Sequence, residues 1–194
     1  MKNKTLIPIF PVLIFLMLWA PSFSQAGKAY VVNRLSNNVS VIDTETHAVI
    51  ATIPVDSDPL DVGINPSRSA VYVTNNGSGS MSIIDLTSNT VIQTVGDAYG
   101  PMGIAVDPSG SRFFVSDWEG TYGLMYVVDA ATYAAIVSFR IGNQPWRVAT
   151  NADGSRTCVT NYQDNTISII DTVSKAVIAT VPVGSYPISV AVFP

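Results

Sequence analysis

Residues 72–85 read YVTNNGSGSMSIID. Two β-prone apolar runs flank a break of Asn, Gly and Ser, which is the pattern of a hairpin. The first run closes on Thr74-Asn75 and the second on Asp85. Polar residues that close strands serve catalysis, ligand binding or turns, and one copy of the stretch does not choose among these.

The chain holds further copies. They are AYVVNRLSNNVSVID (29–43), VYVTNNGSGSMSIID (71–85), FFVSDWEGTYGLMYVVD (113–129) and TCVTNYQDNTISIID (157–171). The closing aspartates Asp43, Asp85, Asp129 and Asp171 are spaced 42, 44 and 42. Asn33, Asn75, Asp117 and Asn161 are spaced 42, 42 and 44, and Pro59, Pro101, Pro145 and Pro187 are spaced 42, 44 and 42. Three sets of landmarks share one period, so the repeats start near residues 29, 71, 113 and 157.

Each period holds two more β-prone runs. One follows the aspartate: HAVIATIPV, NTVIQTV, YAAIVSFRI and KAVIATVPV. The other follows the proline: PLDVGINP, PMGIAVDP, PWRVATNA and PISVAVFP. No segment sustains a 3.6-residue period. Four antiparallel strands per repeat of this length predict an all-β fold, a β-propeller of four-stranded blades. Runs such as VSVI, ISII and VIATV are apolar at successive positions, as a blade packed between two neighbours requires. A single-sheet solenoid is the competing architecture.

The chain order makes PISVAVFP an inner strand without a blade of its own. Three arrangements use it: a four-blade ring in which it completes the first blade, a dimer forming a larger ring, and a partial propeller with an open edge. The recurring Asn and Asp are expected to hold turns, because a residue present in every blade answers a need of every blade.

Of 194 residues, 47% are hydrophobic and 12% charged, and the net charge is −4. That leaves no broad basic field, so generic nucleic-acid binding is disfavoured. Lys2 and Lys4, the apolar run Leu6–Ala20 and Ser24-Gln25-Ala26 form a secretory signal-peptide pattern. Residues 1–26 are therefore expected to be a cleaved leader, against an uncleaved anchor, and 27–194 the propeller. Periplasmic or extracellular residence follows, with no membrane span after cleavage. Cys158 is the single cysteine, so no intramolecular disulfide forms.

Tyr72-Val73-Thr74-Asn75, with SIIDLTSNTVIQTV and PMGIAVDPSGS, resembles the YVTN-family β-propeller repeat over residues 29–194. That group includes bacterial periplasmic propellers, archaeal surface-layer proteins and propeller subunits of some amine dehydrogenases. The resemblance implies export and a propeller. It implies no single activity, because the shared motifs are structural. Four repeats are also fewer than the seven blades usual in the group.

Candidate contacts are residues that break the repeat, since the fold does not explain them. The third repeat carries Trp118-Glu119 in an enlarged hairpin and Trp146-Arg147 after its proline. Both loop types reach one propeller face, where stacking and charge-assisted bonds recognise a sugar, a peptide or a partner loop. Tyr99, Gln144, Tyr162 and Tyr186 stand on neighbouring loops. The alternative role for the tryptophans is packing. His47, the only histidine, sits in an outer turn, and no haem, zinc, phosphate-loop or nucleophile-elbow motif occurs. The DSDPLD run, with Asp56, Asp58 and Asp61, offers oxygen ligands of the kind calcium takes, but its spacing fits no EF-hand loop and a solvated loop is the expectation. No catalytic residue, metal or cofactor is expected. The expected role is an exported binding scaffold, with a protein, peptide or glycan partner and a possible homo-oligomer. The alternatives are a subunit or truncated relative of a periplasmic redox or hydrolase propeller enzyme, and a structural cell-surface protein.

Overall fold

The computed structural model describes residues 27–96 and 98–193. The expected leader lies outside these residues. Blade 1 has β1 (Lys28–Asn33), β2 (Asn38–Asp43) and β3 (Ala48–Pro54). Blade 2 has β4 (Pro59–Asn65), β5 (Ala70–Asn75), β6 (Ser80–Asp85) and β7 (Thr90–Val95). Blade 3 has β8 (Pro101–Val106), β9 (Arg112–Trp118), β10 (Gly123–Asp129) and β11 (Ala135–Arg140). Blade 4 has β12 (Pro145–Thr150), β13 (Arg156–Asn161), β14 (Thr166–Asp171) and β15 (Ala176–Pro182). Every sheet is an antiparallel meander, and the sheets stack in chain order as propeller blades. Among the described residues no helix is long and apolar enough to cross a membrane.

The core is three interblade seams. Tyr30, Val39, Val41 and Ile53 of blade 1 meet Val71, Val73 and Ile84 of blade 2. Ala70, Tyr72, Met81 and Ile83 then meet Ile104, Phe113, Val115 and Val128 of blade 3, with Tyr72 stacked on Phe113 at 4.5 Å between centroids. Phe114, Met125 and Val127 meet Val148, Val159 and Ile170 of blade 4. Burial on both faces holds for the middle strands, β5 being buried throughout. It fails for the outer strands, which the sequence reads as equally apolar. Val49, Ile92, Ile136 and Ile178 are about half exposed because blades diverge away from the axis.

The four closing aspartates make the expected turns. Asp43, Asp85, Asp129 and Asp171 each accept the backbone N–H groups two and three residues on, at 2.7–3.1 Å. These N–H bonds, the one three residues on foremost, hold all four carboxyls below the ordinary aspartate range. The asparagines act otherwise. Asn75 Nδ2 donates across the hairpin to the Ser80 and Ser82 hydroxyls, as Asn33 does to Asn38 Oδ1 and Ser40, and Asn161 to Thr166 and Ser168.

Each complete blade breaks its ladder twice, once between third and outer strand, at Ile83/Ile84, Val127/Val128 and Ile169/Ile170, and once near the axis. The register between inner and second strand shifts just after the proline, at Pro59/Asp61, Pro101/Ile104 and Pro145/Val148. The amides of Asp61, Gly103 and Arg147 turn instead to the hydroxyls of Thr74, Ser116 and Thr160, at 3.1, 2.9 and 3.1 Å. Thr74 in turn donates to the Met102 carbonyl of blade 3, and Ser116 to the Trp146 carbonyl of blade 4, at 2.9 and 2.7 Å. A hydroxyl thus satisfies its own bulge and links it to the next. The approach is close enough that a Cβ at Gly103 would collide with the Trp146 carbonyl.

Residues 187–193, expected as an inner strand, form none. A strand exists only where its backbone pairs with an edge, and this segment does not pair with the free edge of β1. Blade 1 accordingly keeps three strands, and the four-blade closure through this segment is not made.

Ile83→Ala should cost about 3 kcal/mol in chemical unfolding, as removal of a fully buried aliphatic group does. Asp85→Ala should lower the melting temperature at neutral pH. Because the folded carboxyl lies below its unfolded value, its contribution is full above the unfolded pKa and fades as pH falls through the folded one. Melts in a pH series should show the wild-type advantage closing in acid.

Candidate functional site

Pairing of Pro59 with Asn75, Pro101 with Asp117 and Pro145 with Asn161 places the proline loops and the β5–β6, β9–β10 and β13–β14 hairpins on one rim. All the candidate residues lie there. Trp146, Tyr162 and Tyr186 form a ladder of rings, with centroids 5.9 and 4.9 Å apart and planes tilted by 35° at each step. Trp146 and Tyr162 are half-buried and Tyr186 is 60% exposed, so the ladder climbs from the wall to solvent.

Backbone geometry positions these rings. Gln144 and Tyr186 stand before prolines in the left-handed region, at φ 47° and 55°. Non-glycine residues take this conformation when neighbours hold them. The Gln144 carbonyl accepts the Tyr162 amide at 3.0 Å, and the Tyr186 amide donates to Asn165 Oδ1 at 2.8 Å. Nε1 of Trp146 is buried and has no acceptor among the described residues.

The other candidates have different surroundings. Arg147 reaches across the axis to Asp61 of blade 2 at 2.6 Å and donates to the Leu60 carbonyl at 3.1 Å. In blades 3 and 4 the matching carbonyls are held by Thr74 and Ser116, but blade 1 has Val32 at that position, and Arg147 takes over. Asp61 also accepts the Ile104 amide, so this carboxylate ties blades 2, 3 and 4. Glu119 stands by Tyr122 and raises its phenol pKa, while the Arg140 guanidinium sits 4.1 Å from the Tyr122 ring centroid. Tyr122 and Arg140 join the rim without any signal in the repeat other than the two extra residues of that hairpin. Trp118 is half-buried, bonded through its amide to the Gly100 carbonyl. Tyr99 is 75% exposed, and no ring pair includes Trp118 or Tyr99 among the described residues.

Asp117 is fully buried and accepts the Gly100 and Tyr99 amides at 3.1 and 3.2 Å. Burial pushes its carboxyl up, and these amides oppose the shift. An aspartate stands here because Leu124 and Tyr126 occupy the places of Ser80 and Ser82, so an asparagine amide would find no hydroxyl.

His47 is exposed in its turn at φ 59°, and Cys158 is a free, half-buried thiol raised by burial. Among the described residues no group of three or more His, Cys, Asp or Glu is placed to hold a metal ion.

Neither a protein-family model nor a curated protein matches the chain. Among solved structures, it is similar to Kuenenia stuttgartiensis hydrazine synthase, at a TM-score of 0.72 and 22% identity over 79% of this chain. That likeness shows the propeller fold alone. The chain spans 45% of that protein's length.

Arg147→Ala should lower stability by roughly 1 kcal/mol, as a half-exposed ion pair does. A double-mutant cycle with Asp61→Ala in urea unfolding measures the coupling, and Asp61→Ala alone should cost more because the Ile104 amide loses its acceptor.

Proposed function

We propose that this chain is an exported, non-catalytic binding scaffold of the YVTN type whose rim captures a glycan on the Trp146–Tyr162–Tyr186 ladder. The observation that carries the reading is the ladder itself. Three rings at successive heights offer flat apolar platforms, and sugar rings present matching C–H faces. A hydrogen-bonding pair, Asn143 and Asp164, joined at 3.2 Å, stands on the same loops as Trp146 and Tyr162. The YVTN tetrapeptide and the leader pattern support export and family; N-terminal sequencing of the secreted protein should begin at Gly27.

Tryptophan fluorescence titrated with a soluble β-1,4-linked N-acetylglucosamine oligomer tests the reading. Saturable change is expected. Tyr186→Ala should weaken it at least tenfold with an unchanged melting temperature, because that ring is largely exposed. Saturation by a proline-rich peptide but not by the oligosaccharide would overturn the glycan assignment. A cofactor absorbance in the purified protein would overturn the non-catalytic one and favour a propeller-enzyme subunit.

A further inference from the structure

The seam between blades 2 and 3 is cut away where the other two seams are filled. Val95 pairs with Met81 in blade 2, and the same place holds Ile53 beside Val39 in blade 1 and Phe139 beside Met125 in blade 3. Val128 pairs with Ala135 in blade 3, where blade 2 has Ile84 with Val91 and blade 4 has Ile170 with Val177. Ile53, Ile84 and Val91 pack into the seam of blades 1 and 2, and Phe139, Ile170 and Val177 into that of blades 3 and 4. Val95, Val128 and Ala135 belong to the seam between, and each is smaller than both of its counterparts. A cleft of about 230 Å³ opens between the two sheets at these residues. Met81, Val115 and Val128 are its buried floor, and the exposed Gly96 and Ala135 mark its mouth. Apolar volume left unfilled costs stability, and the propeller does not require it, because the same positions take larger side chains in both neighbouring seams.

The lining sets the chemistry. Among the described residues no charged side chain lines the cleft, so an ion entering it would give up water without gaining a partner. Two phenols stand on its wall. Tyr126 takes the place that Ser82 and Ser168 hold in blades 2 and 4, where Asn75 and Asn161 engage the hydroxyls. Its own hydroxyl has no such partner, because blade 3 has Asp117 in place of the asparagine. Tyr133 sets its ring edge-on to Tyr72, at 6.3 Å between centroids. The remaining side-chain hydroxyl on the lining, that of Ser80, is committed to Asp56 at 2.7 Å. Tyr126 is thus the polar group left to meet a guest.

The geometry points to a binding site for an uncharged single-ring molecule with one hydroxyl, a phenol, seated among Met81, Val95, Val128 and Ala135 with its hydroxyl on Tyr126. Size favours one ring: an apolar cavity of about 150 Å³ takes a benzene, and this cleft has room for that ring and its substituents but not for a second ring. A space between two sheet faces suits a flat guest, and the Met81 thioether and the Tyr126 and Tyr133 rings make favourable contacts with an aromatic one. The site lies between blades and away from the aromatic ladder, so it does not rest on the glycan reading.

The test is calorimetric titration of the protein with p-cresol, beside toluene and 4-methylbenzoate as probes of the same shape. Saturable one-to-one binding of p-cresol is expected, with a melting temperature that rises with its concentration. Toluene, which lacks the hydroxyl, should bind roughly fivefold more weakly, and 4-methylbenzoate should not bind. No saturation by p-cresol would overturn the inference. Equal binding of toluene would overturn the role of Tyr126, and equal binding of 4-methylbenzoate the assignment of an uncharged guest. Val128→Ile with Ala135→Val restores the residues that blade 2 carries. That variant should lose p-cresol binding and melt higher than the wild type without ligand; unchanged affinity would overturn the location. Should it fail to fold, methyl resonances of the wild-type protein decide. Those of Met81 and Ala135 should move on p-cresol addition, and movement confined to other methyls would contradict the site. Competition between p-cresol and the oligosaccharide would place the phenol on the ladder and overturn this site as well.

Discussion

The bulge after each proline is the constraint around which the propeller is organised. Inner strands converge on the axis, and there the ladder gives way at the same point in three blades. A broken ladder in a crowded interior leaves N–H and C=O groups without partners, a loss of about 1–3 kcal/mol for each group left unmet. A single hydroxyl on the second strand resolves it by accepting the amide of its own blade and donating to a carbonyl of the next. Blade-to-blade registry is therefore polar at the axis and apolar outside it. The apolar seams supply the bulk of the burial but would tolerate sliding, whereas a relay of hydroxyls does not.

Departures from the repeat make sense against this relay. Val32 cannot donate, so the Leu60 carbonyl is met by Arg147 from two blades away, and the guanidinium is anchored by Asp61. Leu124 and Tyr126 remove two hydroxyls from blade 3, and the residue facing them changes from Asn to Asp, its acceptors turned toward the 99–100 loop. Each irregular residue compensates for another, which makes the arginine and aspartate at these positions structural groups first. The aromatic ladder differs: no defect of the fold calls for Tyr186 to stand exposed above Tyr162.

Much of this was legible in the sequence for a simple reason. Asp85 and its counterparts recur because local turn geometry demands them, and local demands leave a fixed spacing. The propeller and the turn aspartates follow from that spacing alone. The hydroxyl relay also leaves a trace, Thr or Ser before the Asn/Asp landmark in three of four repeats, but its meaning depends on a neighbouring blade. The partnership of Arg147 with Asp61 left no periodic trace, since it joins residues 86 positions apart by chain number across the axis. Exposure of the outer strands was equally hidden, because VIATV reads the same whether neighbours close over it or diverge. The strand expected at 187–193 shows the same limit: its sequence fits an inner strand, but it does not pair with the free edge of β1.

Amide hydrogen exchange at Asp61, Gly103 and Arg147 tests the relay most directly. These three N–H groups donate to side-chain hydroxyls and not to ladder carbonyls. Protection equal to that of the ladder amides in the buried strand β5 is expected, with Thr74→Val abolishing it at Asp61 while β5 stays protected. Rapid exchange at the three sites in the wild-type protein, with the strands themselves protected, would contradict the view that the hydroxyl relay holds the blades in register.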